Sequence, residues 1–424
     1  MNLQNPQIDI VKRKAFLAAW NDRFPQVHGG GFAGMVVFRG DEVLLERNGL
    51  RWLSLHLNPA TFDSALGQRI GAPSEVLISG DWVECFGLLN GDCLEVERVV
   101  LLSPNRRDQG HQSGVNPAVR QWESFLKEVR EFFVVEGFDE LRTPTLVPCP
   151  GTEPFLDPFK TEFIYGSKSE TLFLPTSPEL HLKKCLAMGW ERIFEIKPCF
   201  RNSELSPHHQ PEFYMVEWYR AFSTMSEIQS DVSELVLRLS PAMQKCQWHV
   251  LSVADLFERH LQFRLTPQTS KEELIEVAGR HRIDVSRAVD FDEVFFFLFL
   301  EKIEPELKNY DCLFLHSYPP SQAALARLTS EGWGDRFEFY IRGLEIANAF
   351  NELNDPKVQR VRSQEDLDKK AHHGRMPIGL DEEFFQYLEG GMPPSCGIAL
   401  GLERLFMALH GYKSIEEFRL FVKK

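Results

Sequence analysis

Arg201 stands where a cation could meet a ligand. It lies in Cys199-Phe200-Arg201-Asn202-Ser203-Glu204, which is followed by His208-His209-Gln210-Pro211-Glu212-Phe213 and the strand-like run Tyr214 to Tyr219. Two strand-like segments therefore flank a polar loop, and Arg201, Glu212 and Phe213 could converge on one molecule. A planar guanidinium suits a phosphate, and an aromatic face suits a purine ring. The competing reading is a charged hairpin whose ionic groups face water. Near the C-terminus, Gly397-Ile398-Ala399-Leu400-Gly401-Leu402-Glu403-Arg404 runs from strand into helix. Glycines there would let a backbone approach a ligand, and an arginine in the first helical turn reaches anions; plain helix packing is the ordinary alternative. Between these blocks Glu338, Glu345 and Glu352 recur every seven residues among Phe339, Ile341, Ile346 and Phe350. Hard carboxylate oxygens of this kind suit magnesium bridged to nucleotide phosphates, whereas a solvent-facing acidic edge would need no ligand.

The elements that must hold these residues follow from periodicity. Met35 to Phe38, Val43 to Leu45, Val76 to Ile78 and Trp82 to Leu89 read as short strands, the last meeting the hairpin signal Asn90-Gly91 and answered by Leu94, Val96 and Val99. Residues 1–104 thus form a β-rich N-terminal domain. From Ser103 to Val115 the composition shifts to Pro, Asn, Arg, Asp, Gln and Gly, which marks a linker over 105–115, and its Arg106 and Arg107 read as a solvated stretch rather than a nucleic-acid patch. Val119, Trp122, Phe125, Leu126, Val129, Phe132 and Phe133 then recur at helical spacing and open a second domain over 116–424. Strand-like runs alternate there with helices: Leu172 to Pro175, a helix over Pro178 to Met188, Ile193 to Lys197, Phe213 to Tyr219, Cys312 to His316, Phe337 to Ile341, and a last helix near Leu402. The pattern is α+β with a largely antiparallel sheet.

Composition narrows the classes. A hydrophobic share of 43% with 34 Phe in 424 residues supplies a large core and argues against disorder. No apolar run approaches a membrane span, and the N-terminus lacks a secretory pattern, so the expectation is a cytoplasmic protein away from the membrane. Eight scattered cysteines without a C-x-x-C pair argue against a zinc site or disulfide framework. The net charge of −14 disfavours a broad nonspecific nucleic-acid surface.

In order along the chain, Gly137-Phe138-Asp139-Glu140-Leu141-Arg142-Thr143-Pro144, the Arg201 loop and Gly397 to Arg404 resemble the three signature motifs of class II aminoacyl-tRNA synthetases. Thr176-Ser177-Pro178-Glu179-Leu180, Glu212 to Tyr219 and Glu345 to Asp355 resemble the lysine-specific branch. The resemblance runs from about Asn116 to the C-terminus. Ser177, Glu217-Trp218-Tyr219-Arg220, Pro320-Ser321-Gln322-Ala323 and Ala399 are similar to the elongation factor P lysine ligases rather than to lysyl-tRNA synthetases, which usually carry glycine where Ala399 stands.

This resemblance implies the class II antiparallel sheet flanked by helices, and an ATP- and Mg²⁺-dependent ligase that activates lysine or β-lysine and passes it to a lysine side chain of elongation factor P. By the same resemblance Arg201 holds the α-phosphate, Phe213 and Arg404 enclose adenine, and Glu338 with Glu345 bind magnesium. Asn202, Ser203, Glu204, His209, Gln210, Ile346 and Gly401 complete the nucleotide site. Glu179 takes the substrate amino group and Glu352 with Tyr219 the ε-ammonium, with Ser177, Pro178, Glu217, Asn348, Phe350 and Ala399 lining the pocket. His208 and His209 contact phosphates or cap the loop.

Two departures stand out. Ser203 replaces the family's adenine-reading Glu, with Glu204 next to it, and an N-terminal domain precedes what the short bacterial ligases have alone. Ser79 to Leu102 resemble the closing strands of an OB barrel, read here as a degenerate remnant. The first motif implies a homodimer. The alternatives are a lysyl-tRNA synthetase, with tRNA as acceptor, and a non-catalytic paralogue that binds lysine or adenylate, suggested by Ser203.

Overall fold

The computed structural model describes residues 31–39, 42–47, 50–56, 81–90, 93–103, 116–323 and 325–423. The expected strand Val76 to Ile78 and the linker 105–115, with Arg106 and Arg107, lie outside them. Two compact units result, Met1–Gln121 and Trp122–Lys424.

In the first unit, β1 (Gly31–Arg39), β2 (Glu42–Arg47), β3 (Leu50–His56), β4 (Trp82–Asn90) and β5 (Cys93–Ser103) close a barrel in the order β1-β2-β3-β5-β4. All neighbours are antiparallel except β3 and β5. Alternation dictates which side chains go inward: Leu53 and Leu55, Val83 and Cys85, and Leu94 and Val96 are buried. The bulge at Phe86/Gly87 shifts the β4–β5 register. The hairpin expected at Asn90 forms, with Asn90 opposite Cys93. Because five strands close, the barrel is more complete than the remnant read from sequence.

The second unit is an eight-stranded sheet in the order β11-β12-β13-β14-β15-β10-β9-β6, flanked by helices, with a separate hairpin of β7 (Lys160–Tyr165) and β8 (Lys168–Phe173). Its strands are β6 (Asp139–Glu140), β9 (Arg192–Phe200), β10 (Glu212–Ala221), β11 (Trp248–Ser252), β12 (Cys312–Tyr318), β13 (Gly334–Ile341), β14 (Leu344–Asn351) and β15 (Ser395–Gly401). Only the outer pairs β11–β12 and β6–β9 are parallel, so the sheet is largely antiparallel, as the sequence pattern implied.

Helix α1 (Pro117–Val135) lays its aromatic stripe on this sheet: Phe133 stacks 4.8 Å from Phe194 and lies 5.0 Å from Trp218. Truncating such a ring costs about 3 to 5 kcal/mol. Helix α2 (Glu179–Ala187) packs through Leu182 and Leu186 in one cluster with Tyr219, Phe384 and Phe385. The Phe-rich segment Val294 to Leu300 spans no membrane. Its Val294, Phe295, Leu298 and Phe299 are core residues of a cluster that also holds Leu256, Phe257 and Leu274. Helix α3 (Leu402–His410) opens where β15 ends and buries Leu402, Leu405 and Phe406.

Candidate functional site

Strand register assembles the site. Glu217 lies opposite Ala399, Ala399 opposite Asn348, and Asn348 opposite Glu338, so one row crosses β10, β15, β14 and β13. The next row is Tyr219, Gly397, Phe350 and Arg336. Directly opposed residues present side chains to the same face of an antiparallel pair. Residues far apart in sequence thereby share one wall. Above it sits a cavity of about 310 Å³, within the range of small-molecule sites.

The cavity brings together most residues expected in it. Arg201, Glu204, His209, Gln210, Phe213, Glu345, Ile346, Gly401 and Arg404 line one part, and Ser177, Glu179, Glu217, Asn348, Phe350 and Ala399 another. Asn202 and Ser203 are exposed on the turn and do not line it. Ser203 has φ +66, a left-handed conformation, and its N–H is held by Asn202 Oδ1 at 3.0 Å. The alternation expected of a strand fails because this segment is a turn, which is how Glu204 rather than Ser203 reaches the cavity. Pro178 is buried at the start of α2. Tyr219 and Glu352 are also buried and do not line the cavity.

The nucleotide-sized end sets two arginines beside Glu204 and Glu345. Arg201 lies over the Phe213 ring at 5.1 Å, and its buried Nε has no protein partner, leaving a donor for an anion. Arg404 donates from Nη2 to His209 Nε2 at 2.5 Å and from Nη1 to the Glu345 carbonyl at 3.1 Å. His209 Nδ1 in turn faces Ser206 Oγ at 2.8 Å. Burial first, and then Arg404, hold the His209 pKa down, so the neutral ring accepts from the guanidinium and orients it. His209 is thus tied to Arg404, while His208 is exposed. These residues fit a nucleotide: two guanidinium groups and an aromatic face around one opening.

Magnesium fits less completely. Glu338 Oε1 accepts from Arg336 Nη2 at 2.5 Å, while its Oε2 accepts from Tyr318 at 2.6 Å and Tyr340 at 2.5 Å. Every oxygen of Glu338 is engaged. Glu345 keeps a carboxylate that is 43% exposed at the cavity wall. Its Oε2 stands 3.6 Å from Arg404 Nη1, so one half-exposed carboxylate with a single loose ion pair is left for an ion that arrives on phosphates and keeps its waters.

The opposite end is anionic and dry. Glu217 accepts from the Tyr219 hydroxyl at 2.9 Å through Oε2, and its buried Oε1 has no partner. Burial, followed by the charge of Glu179, pushes the Glu217 carboxyl well above its ordinary range. Lys183 bridges Glu179 at 2.5 Å and Glu352 at 2.6 Å, with 1% of its side chain exposed. Desolvation opposes the Lys183 charge but the two carboxylates outweigh it, so its pKa is raised. One ammonium cannot neutralise two carboxylates. Burial accordingly leaves Glu352 raised despite its lysine, and Glu352 Oε1 is unpaired. Gly397 makes this packing possible, because a Cβ there would lie 2.2 Å from the Tyr219 ring and 2.6 Å from Glu352 Oε1.

Sequence reading missed Lys183, Glu153 and the purpose of Gly397. Lys183 had a signal, standing four residues after Glu179 on a predicted helix. Glu153, which also lines the cavity, lies in irregular chain and had none.

The family model described as tRNA synthetases class II (D, K and N) matches residues 110–424. Among curated proteins, an elongation factor P–(R)-β-lysine ligase of Haemophilus influenzae (strain PittGG) is 38% identical over 290 residues, 66% of this chain and 87% of that protein. Its counterpart from Mannheimia succiniciproducens is 37% identical over 304 residues, 70% of this chain and 92% of that protein. The one from Klebsiella pneumoniae (strain 342) is 36% identical over 304 residues, 69% and 90% of the two chains. With the second and third motifs lining one cavity, these matches make the chain a member of the class II tRNA synthetase family, in the branch of the elongation factor P–(R)-β-lysine ligases.

Proposed function

We propose that this protein activates lysine or (R)-β-lysine with ATP and transfers the aminoacyl group to a lysine side chain of elongation factor P. The observation that carries the reading is the polarity of one cavity: Arg201 and Arg404 at one end, Glu179 and Glu217 at the other, with Glu352 behind. A diamino acid joined to a nucleotide has that charge pattern.

In this reading the substrate carboxylate attacks the α-phosphorus in line, forming the mixed anhydride and releasing pyrophosphate. Arg201, with its unpaired Nε, stabilises the charge that builds on the phosphate. Phe213 and Arg404 hold adenine, with Glu204, His209 and Gln210 on the surrounding wall. Magnesium carried by the phosphates would be held by Glu345 and supply charge neutralisation, with Glu338 joining only by giving up a tyrosine or arginine bond. Glu179 receives the substrate's amino group, and Glu217 and Glu352 its far ammonium, while Ala399 fills space beside the backbone of the substrate. The acceptor amine then attacks the carbonyl and AMP leaves. The protein works as a homodimer in the cytoplasm, with residues 116–424 as its catalytic domain.

Intact-mass measurement of elongation factor P after incubation with this protein, ATP and each lysine isomer tests the reading. A gain of one lysyl mass is expected, and no gain with either isomer refutes it. The barrel, whose strand order is that of an OB fold, favours a second reading as a lysyl-tRNA synthetase. Charging of tRNA by the purified protein would decide for that alternative.

A further inference from the structure

A second cavity of about 190 Å³ adjoins the first, and the two share Glu153, Ser177, Glu179 and Leu325. Of the shared residues only Glu153 and Glu179 carry charge, and Glu179 is committed to Lys183. The second cavity offers apolar surface from Leu180, Phe296, Phe384 and Phe385, and on its lining Asp290, Asp292, Asp366 and Asp381 outnumber Arg336 and Lys369. An extended alkyl chain with a cationic tip suits such a passage, its methylenes on the apolar side chains and its charge toward carboxylates.

The loop that carries Glu153 is fixed at several points. Thr176 Oγ1 donates to the Pro150 carbonyl at 2.7 Å, Lys370 Nζ to the Glu153 carbonyl at 2.9 Å, and the Asn202 N–H to the Asp157 carbonyl at 2.8 Å. Gly151, at φ +134, leaves room for the carboxylate to fold back, since a Cβ there would sit 2.2 Å from Glu153 Oε2. Glu153 is therefore a carboxylate on a fixed loop at the junction of two cavities, within electrostatic reach of Glu179, assigned to the substrate amine, and of Arg201, assigned to the α-phosphate.

We propose that Glu153 receives the ε-ammonium of the acceptor lysine through the second cavity and takes its proton before the amine attacks the aminoacyl-adenylate. This rests on the ligase reading above. An alkyl ammonium has a pKa of about 10.4 and is almost wholly protonated at neutral pH, so it is no nucleophile until a base removes a proton. Transfer of that proton to the Glu153 carboxylate frees the nitrogen lone pair. The C–N bond forms, the bond from carbonyl carbon to phosphate oxygen breaks, and AMP departs with that electron pair. The Glu153 proton is then lost to solvent. Burial and the neighbouring Glu179 raise the Glu153 pKa against the opposing charges of Arg201 and Lys370, which makes it a better base.

The test separates attack by a protonated amine from attack by a neutral one. Hydroxylamine is uncharged at neutral pH and intercepts an adenylate without needing a base. In Glu153→Gln, transfer to elongation factor P at pH 7 should fall at least about 100-fold more than hydroxamate formation does. That deficit should shrink as pH rises, and Glu153→Asp should recover part of it. Equal losses with both nucleophiles, or no loss in transfer, would overturn the assignment. Failure of the unaltered protein to exchange pyrophosphate with ATP and either lysine isomer would instead strike the ligase reading itself.

Discussion

The two ends of the main cavity use charge in opposite ways. At the nucleotide end the arginines keep donors in reserve: Arg201 Nε is unpaired, and Arg404 is steered by a neutral His209. At the amine end the charges are already engaged, with Lys183 clamped between Glu179 and Glu352, and yet acceptor oxygens of Glu217 and Glu352 remain empty. The first end keeps solvent access at Arg404 and Glu345, 22% and 43% exposed, although Arg201 Nε itself is buried and awaits an anion. The second is buried, where an unpaired carboxylate is costly unless a ligand completes it. Selectivity for a cationic side chain therefore resides in the dry end and rate in the wet one.

The charge count sharpens this. Glu179, Glu217 and Glu352 against Lys183 leave two negative charges if all are ionised, and a diamino acid brings two ammonium groups. Glu217→Ala should be the most damaging substitution for substrate affinity. Losing one partner of a buried charge pair costs about 2 to 5 kcal/mol, roughly 30-fold or more in the KM for lysine or β-lysine. Pyrophosphate-exchange kinetics should show the KM for ATP nearly unmoved. A comparable rise in both constants would dissolve the distinction between the ends.

Arg201→Ala should reverse that signature. Removing one pre-placed donor to developing charge typically slows the chemical step by about 10²- to 10³-fold. Exchange rates should fall by that order while equilibrium binding of lysine, followed by calorimetry, stays close to the unaltered value.

A smaller effect belongs to Ala399, which lies between Glu217 and Asn348 in the sheet row. Ala399→Gly removes one methyl from the wall, and one methyl discriminates by about 1 to 3 kcal/mol. The ratio of kcat/KM for β-lysine over α-lysine should move by about tenfold or more. An unchanged ratio would place isomer selection elsewhere on the wall.

How much of this could be read from sequence depends on what kind of structure carries each residue. Arg201, Phe213, Glu217 and Ala399 sit on or beside strands whose apolar runs are plain, and motif order then supplied the rest. The amine end was only half legible. Glu352 was expected to face a substrate, but its partner Lys183 comes from α2, and no strand pattern reports that a helix will insert an ammonium between Glu179 and Glu352. Ser203 was read from its place in the motif, which does not report that a left-handed turn there sends Glu204 to the cavity instead. Gly397 looked like a place for a ligand to approach the backbone, whereas it makes room for Tyr219 and Glu352. The barrel was underestimated because its third strand, Leu50–His56, went unread.

The gentlest test of the contrast is the stability of the protein without ligands as pH changes. Burial raises Glu217 and Glu352, and it pushes Glu403 and Asp366 up to about 7 from ordinary values of 4.5 and 3.8. Between the ordinary and raised values the folded state holds protons that the unfolded chain has released. Stability should thus fall as pH rises through that window, from about 4.5 to about 7, the reverse of a protein whose carboxylates are stabilised by pairing. Each kcal/mol lost lowers Tm by about one degree in a chain of this size, so the slope is small but measurable. A saturating diamino acid should flatten the part due to Glu217 and Glu352, because its ammonium groups favour the ionised forms, and leave the part due to Glu403 and Asp366. Leucine, which brings one ammonium and an apolar tail, should leave the slope unchanged. If leucine flattened it as well, the dry end would be responding to occupancy rather than to charge, and the division of labour between the two ends would fail.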